Sequence, residues 1–206
     1  DLAYVIHVVS QFVSAPHSTH WATLVRILRY LRGTIFQGLL LSSTSSLDFV
    51  DYADSIWAGD VTDHKSTSGF CMFLGDSLIS WKSKKQSVVA RSTAEAKYHA
   101  MAHATVEIVW LRCHLSDLGV SQSSPASLFS DTRSAVQIAH NTVFNARTKH
   151  IEIDCHFVRQ HLQSASISLP FIPSALQLAD FFTKIHTTAR FQFLLSKLSV
   201  FSAKTL

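Results

Sequence analysis

From His20 to Arg32 the apolar residues Trp21, Leu24, Ile27, Leu28 and Leu31 recur at three- and four-residue intervals, which predicts an amphipathic helix. Ser18 or Thr19 offers an N-cap and Gly33 a stop. Ala3 to Val13 predicts an earlier helix ended near Pro16, and Phe36 to Leu41 a buried strand. Ser42 to Ser46 is the one linker-like run and the best boundary.

Beyond that boundary the pattern turns strand-rich. Leu47 to Asp54 reads as a strand. Gly69 to Leu74 and Leu78 to Trp81 follow, joined by the turn signal Gly75-Asp76-Ser77. Ser92 to Leu118 predicts a long helix, because Tyr98, Met101, Ala102, Thr105, Ile108, Leu111, Leu115 and Leu118 keep helical spacing up to Gly119. A strand over 127–130, helices over 132–140 and 150–162, a strand over 166–172 and a helix over 176–184 complete the pattern. The tail from Arg190 to Phe201 again has helical spacing. The order βββαβα(α)βα is an α/β layout with a mixed sheet and helices on its faces. In such sheets polar groups at strand ends and helix starts gather in one place.

Composition narrows the function classes. The 206 residues carry 18 Lys and Arg against 14 Asp and Glu, a net charge of +4 that permits a polyanionic partner without demanding one. With 47% hydrophobic residues the chain has material for a core and is not a disordered segment. No apolar run approaches the roughly 20 residues that span a bilayer, so no membrane partner is expected. Cys71, Cys113 and Cys155 are isolated and odd in number, which indicates neither a zinc knuckle nor a disulfide framework. The start at Asp1 lacks a secretion signal and suggests a piece of something longer, with an intracellular (cytoplasmic or nuclear) setting.

The candidate chemistry is acidic. Asp54 ends the first strand after the boundary, Glu95 opens the long helix, Asp131 ends the next strand and Asp180 lies in the helix near the end. Gathered together, such carboxylates would hold hard divalent cations through oxygen. Three of them also have a plain alternative, Asp131 as an N-cap, Glu95 as a partner of the helix dipole and Asp54 as a turn residue, whereas Asp180, between Ala179 and Phe181-Phe182, is harder to read as surface decoration. His99 and His103 stand four apart but lack the Glu of H-E-x-x-H, so no zinc is expected. Neither G-x-S-x-G nor a P-loop is present, which leaves serine hydrolase and P-loop nucleotidase chemistry unsupported.

Longer strings identify a relative. Asp1-Leu2-Ala3-Tyr4, Val9-Ser10-Gln11-Phe12, His20-Trp21 and Gly33-Thr34 stand in the first part, followed by Lys65-Ser66-Thr67-Ser68-Gly69-Phe70 and Ile79-Ser80-Trp81-Lys82-Ser83-Lys84-Lys85-Gln86. Ser92-Thr93-Ala94-Glu95-Ala96, Arg147-Thr148-Lys149-His150-Ile151-Glu152 and Gln177-Leu178-Ala179-Asp180-Phe181-Phe182-Thr183-Lys184 continue in the same order. Together they resemble the ribonuclease H region of copia-type retrotransposon Pol polyproteins, with the end of the reverse transcriptase in front. The resemblance implies a ribonuclease H-like, mixed five-stranded sheet with flanking helices, preceded by a short helical connection segment. It divides the chain into a connection remnant (1–46), a ribonuclease H-like domain (47–185) and a helical tail (186–206). It implies hydrolysis of the RNA strand of an RNA·DNA hybrid, with two Mg2+ ions (or Mn2+) held by carboxylates. The other implied partner is the remainder of the Pol polyprotein.

Carried over by motif, Asp54, Asp131 and Asp180 match three metal-holding aspartates, and the catalytic set is Asp54, Glu95, Asp131 and Asp180. The fourth position departs. The family string S-x-A-E-A-E-Y favours its second glutamate as the ligand, and Lys97 stands there. Glu95 lies two residues earlier, about 200° away around a helix, so it does not simply replace that ligand. An ammonium cannot ligate while protonated, so the activity is expected to be impaired, or lost in a degenerate fragment that at most binds nucleic acid. Ile56, before Trp57, and Thr132, after Asp131, also depart from the family pattern. Lys82, Lys84, Lys85 and Arg91, with Arg147 and Lys149, are the candidate phosphate contacts, the alternative being solvated faces.

Overall fold

The computed structural model describes residues 2–141 and 151–202 and separates into two compact units, residues 39–199 and residues 1–38 with 200–206. The larger unit is built on a sheet of five strands: β2 (Phe49–Ile56), β3 (Thr67–Leu74), β4 (Ser77–Lys85), β5 (Ala126–Phe129) and β6 (Ile167–Ser168). Their order is β4-β3-β2-β5-β6, with β3 antiparallel to both β2 and β4 and with β5 and β6 parallel continuations. This is the mixed α/β sheet that the alternation of patterns predicts. Gly75, at φ +56, makes the β3–β4 turn, and the Ser45 and Ser46 atoms packed against it leave no room for a Cβ.

The long helix α3 (Thr93–Asp117) lies on one face of this sheet. Ser92 caps it by accepting the Glu95 N–H at 3.2 Å, and Gly119 follows its end at φ +79. Tyr98, Met101 and Ile108 of α3 are fully buried with Phe49, Phe70, Met72 and Leu128 from the sheet. Burying a large apolar side chain contributes about 1.5–3 kcal/mol, so this face dominates the stability. Helices α4 (Arg133–His140) and α5 (Glu152–Gln163) pack beside α3, with Cys155 and Val158 of α5 in the same core. Cys71 and Cys155 are buried free thiols and Cys113 is an exposed one.

Several elements differ from the sequence pattern. Residues 176–184 form no α-helix; two 3-10 turns, Ser174–Leu176 and Leu178–Phe182, occupy the segment. Pro173 caps the first, and Gln177 ends it in an extended conformation, which breaks the helical run. The strand predicted over 36–41 is only β1 (Gln37–Leu39), and it is exposed rather than buried. The polar run Ser42–Ser46 belongs to the larger unit: the Ser42 N–H donates to Ser77 Oγ at 3.0 Å, and Asp76 N–H to Ser45 Oγ at 2.6 Å.

The smaller unit contains α1 (Leu2–Ser10), α2 (Ser18–Thr34) and the pairing of β1 with β7 (Val200–Ser202). α2 starts after His17, whose N–H donates to His20 Nδ1 at 3.1 Å, so neither Ser18 nor Thr19 is the cap. The helical tail is α6 (Thr188–Lys197), and its pattern then gives way to β7. Among the described residues, no helix is long and apolar enough to cross a membrane.

Candidate functional site

Asp54 stands on β2 with Gly69 of β3 beside it in register. A Cβ on Gly69 would lie 2.7 Å from Thr183 Cγ2 and 2.9 Å from Phe182 Cβ, so the bare glycine lets the 3-10 segment lie flat on the sheet. Buried Gln177 fixes that segment from below. Its Nε2 donates to the Ala53 carbonyl at 3.1 Å and its Oε1 accepts the Ala179 N–H at 3.1 Å. The result brings Asp180 next to Asp54, although 126 positions separate them in the chain.

Asp131 lies two residues beyond β5, and the parallel pairing of β5 with β2 brings it to the same end of the sheet. Thr132, rather than Asp131, is the N-cap of α4, which frees the Asp131 carboxylate for tertiary contacts. Thr132 Oγ1 supports it from 3.3 Å, and Ser174 Oγ donates to its Oδ2 at 2.7 Å.

The three aspartates converge on ammonium groups. Lys97 Nζ lies 2.9 Å from Asp54 Oδ1 and 2.5 Å from Asp131 Oδ1, with its side chain 10% exposed. Lys184 Nζ bridges Asp54 Oδ2 at 3.1 Å and Asp180 Oδ1 at 2.5 Å. Arg190 Nη2 reaches Asp180 Oδ2 at 3.5 Å, and Thr183 Oγ1 donates to Asp54 Oδ2 at 2.8 Å. Burial pushes the Asp54 carboxyl upward, but Lys97, Lys184 and the Thr183 hydroxyl outweigh it and hold the group at about 2. For Lys184 burial opposes the charge, and Asp180 and Asp54 more than compensate, raising its ammonium above the usual range.

Glu95 is placed otherwise. Its Oε2 accepts the Arg91 N–H at 2.8 Å and its Oε1 lies 3.8 Å from His99 Nε2, and no described contact joins it to the aspartates. It works at the helix start, where its own N–H donates to Ser92 Oγ and its carboxylate accepts the Arg91 N–H. His99 in turn pairs with Asp154 of α5 at 2.5 Å. Among the described residues, no group of three or more His, Cys, Asp or Glu side chains is arranged to hold a metal ion.

On the edge strand, Lys82 and Lys84 are exposed and face a cleft of about 140 Å³ that His103 and Glu107 of α3 also line. Arg91 is exposed before α3. Lys85 instead pairs with Asp60 at 2.7 Å and Asp63 at 2.9 Å on the β2–β3 loop. Arg147 and Lys149 lie outside the described residues. Lys184, Thr183, Ser174 and Arg190 also contact the aspartates, at positions where motif and composition indicate no role. Lys184 had a legible signal, its i,i+4 spacing from Asp180; Ser174 and Arg190 had none.

No family model matches the chain. The retrovirus-related Pol polyprotein from transposon RE2 of Arabidopsis thaliana is 38% identical over 200 residues, which cover 97% of this chain and 14% of that protein. The corresponding polyprotein from transposon TNT 1-94 of Nicotiana tabacum is 34% identical over 192 residues, 93% of this chain and again 14% of that protein. The chain therefore spans about a seventh of these relatives, at 14% of their length. Among solved structures, LC11-RNase H1 in complex with RNA/DNA hybrid superposes with a TM-score of 0.51 at 10% identity, covering 66% of this chain and 94% of that one. At that identity the likeness concerns the fold, which is ribonuclease H-like.

Proposed function

We propose that the chain is a piece of a retrovirus-related Pol polyprotein of a copia-type transposon, and that its ribonuclease H-like unit binds RNA·DNA hybrid but cleaves it poorly or not at all. The observation that carries this reading is the Lys97 ammonium between Asp54 and Asp131. Two-metal hydrolysis of a phosphodiester needs carboxylate oxygens free to coordinate Mg2+ or Mn2+, with one ion activating water and the other stabilising the leaving oxygen. Here the donor set does not fit that requirement. The oxygens of Asp54, Asp131 and Asp180 already contact Lys97, Lys184, Arg190, Thr183 and Ser174. A protonated amine is a donor only and offers a metal nothing.

Binding needs less than catalysis. Lys82, Lys84 and Arg91 offer phosphate contacts on the β4–α3 side, and exposed Trp81 stands beside them. Arg147 and Lys149 belong to the same proposal, and Lys85, tied to Asp60 and Asp63, contributes least. The remainder of the Pol polyprotein stays the second proposed partner. The deciding assay is a gel with end-labelled hybrid and Mg2+ beside a binding titration: hybrid bound and left intact is expected. Robust cutting that Asp54→Asn abolishes would overturn the reading, as would absence of binding at low salt.

A further inference from the structure

Every carboxylate oxygen of Asp54, Asp131 and Asp180 lies within ion-pair or hydrogen-bond distance of a side chain of the chain itself, and the buried Asp54 Oδ1, which makes no hydrogen bond, has the Lys97 ammonium as its ion-pair partner. Asp54 Oδ1 faces Lys97, and its Oδ2 takes Lys184 and Thr183. Asp131 Oδ1 takes Lys97, and its Oδ2 takes Ser174. Asp180 Oδ1 takes Lys184, and its Oδ2 faces Arg190. Three acids are thus matched by three cations. The Asp54 and Asp131 side chains are 0% and 2% exposed, so water screens neither charge. Two buried carboxylates brought together demand a cation, because repulsion and desolvation add.

The geometry points to Lys97 as a resident counter-ion: it supplies internally the charge that a hard divalent cation would otherwise bring, and it closes the Asp54–Asp131 pair to such a cation. Lys97 bridges one oxygen of Asp54 on β2 and one of Asp131 just beyond β5, at 2.9 and 2.5 Å, which is how an ion would join them. Lys184 and Arg190 compensate Asp180 and the far oxygen of Asp54, but neither has a described contact with Asp131. Removing the Lys97 ammonium therefore leaves Asp131 Oδ1 and Asp54 Oδ1 facing each other without a cation. The pair then becomes an oxygen-donor site for Mg2+ or Mn2+, and Lys97→Glu adds a third carboxylate. The inference concerns cation binding alone and stands apart from whether the protein binds hybrid.

The test is thermal unfolding of the full chain in EDTA and in MnCl2, with Mn2+ binding followed directly by electron paramagnetic resonance. The wild type is expected to melt at one temperature in both buffers and to leave Mn2+ free. Lys97→Glu is expected to bind Mn2+ at least tenfold more tightly than wild type. At a tenfold excess over its Kd the melting temperature should rise by about 3–6 °C. Lys97→Gln, which removes charge without adding a ligand, should show a smaller rise, and Asp131→Asn in the Lys97→Glu background should remove it. If Lys97→Glu folds only when Mn2+ is present, the inference holds. A wild type stabilised by Mn2+ as much as the variants would overturn it, since the cation would then displace the lysine. So would variants that neither bind Mn2+ nor fold in its presence. A protein that binds no hybrid but shows this cation response refutes the proposed function and leaves the counter-ion inference intact.

Discussion

The side-chain amide of Gln177 donates to the main-chain carbonyl of Ala53, 124 residues earlier, at 3.1 Å, and both residues are buried. With the Thr183 and Lys184 contacts to Asp54, this bond ties the 3-10 segment bearing Asp180 to the strand bearing Asp54.

Gln177→Ala removes that bond and the one from the Ala179 N–H, and leaves polar main-chain atoms without partners in the interior. A loss of about 1–3 kcal/mol is expected. Urea unfolding measures it, and an unchanged midpoint would show that the segment is held by other means.

Gly69 tests the same docking from the other side. Gly69→Val places atoms into Thr183 and Phe182, where even a Cβ comes within 2.9 Å. Overpacking of this kind costs about 1–3 kcal/mol, and Gly69→Ala should fall below Gly69→Val in cost. Thermal melts of the two variants establish the order.

Asp51 is a misfit in the core. It is 0% exposed, both carboxylate oxygens lack hydrogen-bond partners, and burial raises its carboxyl well above the usual range. The unfolded chain therefore releases this proton at lower pH than the folded one, so stability falls as pH rises above about 4. Asp51→Ala is expected to stabilise the protein at neutral pH by about 1–3 kcal/mol and to flatten that decline. Unfolding measured from pH 4 to pH 7 reads both effects. Asp54 works in the opposite sense: its carboxyl is held at about 2, so its contribution is present above the usual carboxylate range and is lost as pH falls towards 2.

His99 couples α3 to α5 with a charge that titrates. The hydrogen bond to Asp154 raises its imidazole above the ordinary value, against the opposing effect of burial. Stability from this pair is complete below the unfolded pKa of roughly 6.5 and disappears as pH rises through the folded value. His99→Gln should remove the part of the slope that begins near the unfolded value and extends above it. Amide exchange in α5, compared at two pH values, localises the effect.

Lys82 and Lys84 are the residues that hybrid binding should feel first. Each alanine substitution is expected to weaken binding whatever the base sequence and to lower the salt slope by about 1. Lys85→Ala should change little, because its ammonium already serves Asp60 and Asp63. Equal effects at all three positions would contradict the assignment.

Much of this architecture is legible in the chain because local forces produce it. The spacing of Tyr98, Met101 and Ile108, the Ser92 cap and Gly119 define α3 without reference to anything distant. The Gly75 turn defines the hairpin in the same way. Asp54, Asp131 and Asp180 were identifiable from their motifs, and Lys97 from its departure at the expected glutamate. Residues 176–184 were not legible, since their apolar spacing mimics a helix while Gln177 is drawn out of helical geometry by its bonds to Ala53 and Ala179.

What the sequence determined by itself is the order and type of the elements from β2 to α5, and which carboxylates sit near their ends. Only the tertiary structure decided what those carboxylates touch. Strand pairing sets which end of the sheet each acid shares, and the fold brings Lys97, Arg190 and Ser174 to them, and Lys184 to Asp54, from positions that no local period connects. The same pairing buries Asp51 opposite Met72 and beside Leu128, where a polar residue in an alternating strand would be expected to face water. Periodicity records neighbours a few residues away, whereas the charge balance of a buried site is settled by partners that only sheet register brings together.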